Sequence, residues 1–148
     1  MRSIGIALAA AIVTGAVTSA QKNPYLRYTE EKFVENKLSA DRNFAAVKTF
    51  AAGADYASAK AQLTRAREQM AITITFWRDA RNDAAVAMLR KTLASMDDLD
   101  VVMSAEKIDA AGVTGAVARI DEACTACHAA YREQDPATKT YRVRSVPR

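Results

Sequence analysis

From residue 29 onward, apolar side chains recur at alternating three- and four-residue steps, a period that places them on one face of a helix. Thr29 can cap a first helix, with Glu30 and Glu31 complementing its dipole and Phe33, Ala40, Phe44, Val47 and Ala51 forming its stripe up to Gly53. Asp55 can cap a second, with Tyr56, Ala59, Leu63, Ala66, Met70, Thr73 and Trp77 on one side. Asn82 or Asp83 caps a third, carrying Val86, Leu89, Leu93, Met96 and Met103. Asp109 opens a fourth, with Val113, Val117, Ile120, Cys124, Cys127 and Tyr131, and Asp135-Pro136 stops it. Sustained two-residue alternation and Asn-Gly or Asp-Gly turns are missing, so strands have no sequence support. The reading is all-α: an antiparallel four-helix bundle over residues 21–135, its last helix the chemically distinctive one.

Composition narrows the class. Half of the 148 residues are hydrophobic, while Gly (5) and Pro (3) are scarce, which argues against disorder. Two Cys cannot staple a chain of this length. The net charge of +4, from 21 basic and 17 acidic residues interspersed, does not suggest nucleic-acid binding. The N-terminus reads as a secretory signal over residues 1–20: Arg2, an uncharged run from Ile4 to Val17, then small residues Thr18-Ser19-Ala20 before the expected cleavage. The expected mature chain starts near Gln21, is periplasmic or otherwise exported, and has no membrane span. Residues 136–148 read as a basic, solvated and partly ordered tail with Lys139, Arg142, Arg144 and Arg148 and no acid, or else a docking patch for an acidic partner. Asp97-Asp98-Leu99-Asp100 reads as a solvated helix face.

Both Cys and the only His fall within Cys124-Thr125-Ala126-Cys127-His128. Cys-x-x-Cys-His is the attachment signal of a c-type haem. Residues three and four apart share a helix face, so both thiols can add to the vinyl groups of one haem c while His128 reaches the iron. A thiol–disulfide pair would instead open a helix beside a strand, and a zinc site would need a fourth ligand. No acid–base pair or nucleophile accompanies the motif, so an enzymatic role is not expected.

With this motif late in a fourth helix, the chain resembles the class II c-type cytochromes, the cytochrome c-prime family and its low-spin relatives. The matching run is Cys124-Thr125-Ala126-Cys127-His128-Ala129-Ala130-Tyr131-Arg132, with Phe44-Ala45-Ala46-Val47 and Phe76-Trp77 as weaker echoes. The resemblance implies thioethers at Cys124 and Cys127, His128 as proximal iron ligand, and Arg132 flanking the imidazole. It allows a homodimer; the Ala-rich sequence fits a monomer equally.

The sixth iron position decides between two functions. Low-spin relatives use a Met early in helix one, and alignment through Phe44 puts Lys37 there. The topology of an up-down bundle offers Met70 instead, and surrounds the haem with Phe33, Ala40, Phe44, Met70, Ile74, Trp77, Val86 and Leu89. No second His exists for a bis-His haem. A pentacoordinate or weakly ligated haem is therefore expected. The first function is electron transport with redox partner proteins; the alternative is binding of nitric oxide or carbon monoxide at an open site.

Overall fold

The computed structural model describes residues 28–144; the expected signal segment 1–20, residues 21–27 and the last four residues lie outside the described residues. The fold is all-α apart from one small hairpin. Helices α1 (Glu30–Ala52), α2 (Tyr56–Ile72), α3 (Ile74–Asp79), α4 (Asp83–Met103) and α5 (Ala110–Tyr131) are followed by strands β1 (Arg132–Gln134) and β2 (Tyr141–Val143).

The helix starts follow from the side chains that satisfy their first backbone N–H groups. Thr29 accepts from Lys32 N, Asp55 from Ser58 N, Asn82 from Ala85 N, and Asp109 from both Ala111 N and Gly112 N. Asp109→Ala is expected to cost about 1–2 kcal/mol, the upper range for a cap, because it strands two donors at once. Urea denaturation checks this, with Asp98→Ala on the exposed face of α4 as a control near zero.

The expected second helix is broken in two. Ile72-Thr73-Ile74-Thr75 is a run of β-branched residues, which lose rotamer freedom in a helix. Buried Thr73 donates its hydroxyl to Met70 O at 2.6 Å, and its N–H bonds the same carbonyl at 3.1 Å. That i→i−3 closure tightens the turn and ends α2 before α3 begins.

The buried faces are those of the expected stripes: Phe33, Ala40, Phe44 and Val47 of α1, Leu63 and Met70 of α2, Trp77 of α3, Leu89 and Met96 of α4, Val113 and Ile120 of α5. Leu99, read as part of an acidic surface run, is fully buried, while Asp97 pairs with Arg67 and Asp100 lies 3.8 Å from Lys60 across the α2–α4 seam. Such exposed pairs set register more than stability. α1 lies along α2, α2 against α4, and α4 along α5. α1 and α5 approach each other only over a short stretch. No described helix is long and apolar enough to cross a membrane.

The C-terminal segment departs from expectation. Residues 141–143, largely exposed as expected, are ordered as a strand that pairs antiparallel with 132–134, Glu133 opposite Arg142, and α5 ends at Tyr131 rather than at Asp135-Pro136. Asp135 closes the turn by accepting from Ala137 N and Thr138 N. Three-residue strands are too short to leave a readable alternation in sequence.

Candidate functional site: the His128 cavity

Along α5, Val113, Ala116 and Ile120 are buried and Val117 is half-buried, whereas Cys124, Cys127 and Tyr131 beyond them are all only half-buried. The helix continues, but the packing against its motif face thins. There, between α1 and α5, a cavity of about 60 Å³ is lined by Phe33, Lys37 and Asp41 of α1, Trp77, Leu89, and Cys127, His128 and Tyr131 of α5. Arg132 and the β2 residues complete its wall.

Cys124 and Cys127 are free thiols one helical turn apart, both half-buried. Burial pushes both thiols above their ordinary range, against a smaller opposing effect of the Lys37 charge. They are therefore held protonated. Redox-active Cys-x-x-Cys pairs show the reverse, a depressed pKa at a helix N-terminus. His128, in the last turns of the same helix, is pushed down to about 4, first by desolvation and then by the Lys37 and Arg132 charges. It is a neutral imidazole at neutral pH, the form that ligates a metal.

This depression has a sign that can be checked on the haem-free chain. Between pH 6.5 and about 4 an unfolded His128 takes up a proton that the folded one refuses. Stability is therefore complete above pH 6.5 and falls as pH drops through that window. Urea titrations across it should show the fall, and His128→Gln should flatten it.

The two candidate sixth ligands meet in space. Lys37, half-buried at the cavity, donates its ammonium to Met70 Sδ at 3.2 Å, while Met70 itself is 2% exposed. Lys37 thus faces the motif, and Met70 lies behind it in the core. Of the other residues expected to surround a haem, Phe33, Trp77 and Leu89 line the cavity. Ala40, Phe44 and Val86 are core residues outside the lining, and Ile74 only packs against the core. Arg132, expected beside His128, is at the cavity, with its guanidinium 4.5 Å from the Tyr141 ring centroid.

The aromatic side of the site was underestimated from sequence. Trp77 packs edge-on against Phe33 (5.3 Å between centroids) and Phe76 (5.1 Å), and tilts against Tyr131 (4.8 Å). Tyr131 O–H donates to Asn82 Oδ1 at 3.4 Å, linking the end of α5 to the cap of α4. The Trp77 indole N–H is buried and has no partner among the described residues. The adjacent Phe76-Trp77 was the available signal: Trp77 was expected as a haem contact, but its packing against Phe33, Phe76 and Tyr131 was not foreseen.

The donor set fits a covalently held haem: two protonated thiols one turn apart, one neutral imidazole, and apolar or aromatic walls containing an orphaned N–H. At about 30 Å³ per water, the cavity has room for about two waters. Seating a tetrapyrrole therefore requires the cavity to widen; of its lining residues Leu38 and Tyr141 are exposed. Among the described residues no three His, Cys, Asp or Glu side chains converge to cage an ion. No protein-family model, no curated protein and no solved structure matches the chain.

Proposed function

We propose that this chain is an exported monohaem c-type cytochrome, built as an antiparallel four-helix bundle, that carries electrons to and from redox partner proteins. Cys124 and Cys127 would hold haem c through thioethers, with His128 as proximal iron ligand. The observation that carries the reading is that the Cys-x-x-Cys-His motif lies within α5, with Cys127 and His128 lining a largely apolar cavity and Cys124 half-buried one turn before them. When bound, the haem supplies a one-electron couple whose potential the protein tunes through ligation and burial. The chain's own part is to orient a neutral imidazole, to keep water from the site with Phe33, Trp77 and Leu89, and to place Arg132 beside His128.

A pentacoordinate, gas-binding haem is the second reading, and one contact favours it. Met70 Sδ is engaged by the Lys37 ammonium and buried behind it, so no thioether is presented to the cavity. An ammonium cannot ligate iron until it loses its proton. Carbon monoxide added to the reduced protein separates the readings. A fast spectral shift marks an open site; a sharp low-spin spectrum unmoved by the gas marks Met or Lys ligation and electron transfer alone.

A further inference from the structure

The site has a wall that neither α1 nor α5 supplies. At one end these two helices are joined by Lys48 and Asp121, 3.0 Å apart. At the His128 end the C-terminal hairpin bridges them. Val143 N donates to Glu30 Oε1 at 2.9 Å, in the first residue of α1. Arg144 N donates to Tyr131 O at 2.9 Å and Arg144 Nη1 to Ala129 O at 3.2 Å, both in the last turn of α5. Between these anchors Tyr141, Arg142 and Val143 all border the cavity.

We propose that the C-terminal hairpin is a strap that closes the cofactor site, and that Arg142 holds the carboxylates of the bound tetrapyrrole. This rests on the haem reading above. The cavity floor is apolar, so the two carboxylates of a haem can be satisfied only at the rim, since burying an unpaired carboxylate is costly. Four charged side chains lie there: Lys37, Asp41, Arg132 and Arg142. Asp41 repels a carboxylate. Lys37 is turned inward onto Met70, and Arg132 is stacked on Tyr141. Arg142 remains, exposed, with one guanidinium nitrogen 2.9 Å from Glu133 Oε1 and its other donors available to a second carboxylate.

The test uses the full-length, haem-loaded protein carrying Arg142→Gln, Arg142→Lys, or Arg65→Gln on the exposed face of α2. An uncompensated carboxylate favours the oxidised iron, so Arg142→Gln should lower the midpoint potential, Arg142→Lys should restore most of it, and Arg65→Gln should leave it unchanged. Hydrogen exchange adds a readout independent of redox: amides of 132–143 should exchange about tenfold more slowly in the loaded wild type than in the haem-free chain. Equal potentials for the Arg142→Gln and Arg65→Gln proteins, or equal exchange with and without haem, overturn the strap while leaving the haem reading intact. A wild-type chain with no covalent haem overturns both, and its mass reports this before any potential is measured.

Discussion

Extraction of the Cys124→Ala/Cys127→Ala protein with acidified organic solvent is expected to remove all of its haem, whereas the wild type should lose none. Only a thioether would survive unfolding of the pocket; a His128–iron bond would not. The single variants divide the effect. With Cys124 or Cys127 alone, one thioether still holds the group through denaturation, but the second vinyl stays intact and shifts the reduced absorption bands to longer wavelength. Either thiol is expected to suffice, because both sit one turn apart on α5, half-buried and protonated. His128→Ala should retain the covalent haem and lose the proximal ligand, so attachment and ligation respond to different substitutions. Equal extractability of the double variant and the wild type would mean that the thiols carry no haem.

Trp77→Ala should be the most destabilising single substitution outside the motif, by about 3–5 kcal/mol. Trp77 is 2% exposed and touches Phe33, Phe76 and Tyr131, so its removal opens a cavity shared by α1, α3 and α5. A loss of this size is a large part of the stability of a domain, typically about 5–15 kcal/mol. Trp77→Phe should cost well under half as much. The indole N–H has no partner among the described residues, so replacing it breaks no hydrogen bond in the haem-free chain. Denaturant midpoints of the haem-free variants measure both. If Trp77→Phe proves as costly as Trp77→Ala, the N–H has a partner that the haem-free packing does not show.

The parts of this molecule legible in sequence are those decided within a few residues. Thr29, Asp55, Asn82 and Asp109 cap because each reaches an N–H two or three positions ahead. The buried stripes follow because helical period alone selects a face. What escaped depends on partners far along the chain. The hairpin needs Arg132 to find Val143, and its value to the site needs Val143 to find Glu30, 113 positions away. The break at Thr73 turns on a hydroxyl that can bond a carbonyl or ignore it, a choice fixed only by burial. Lys37 and Met70 were both identifiable as iron-ligand candidates, but as rivals. That one is bonded to the other is a fact of the α1–α2 seam. Ala40, Phe44 and Val86 share the helix faces expected to contact a haem, yet they are buried in the core and do not line the cavity.

The central claim is that Cys124, Cys127 and His128 hold one haem, and the intact mass of the acid-denatured protein tests it most directly. The protein should be exported from a host that matures c-type cytochromes. The account predicts the mass of the polypeptide, starting near Gln21, plus a single haem that denaturation does not remove. A bare polypeptide mass, with both thiols free or joined in a disulfide, would contradict it.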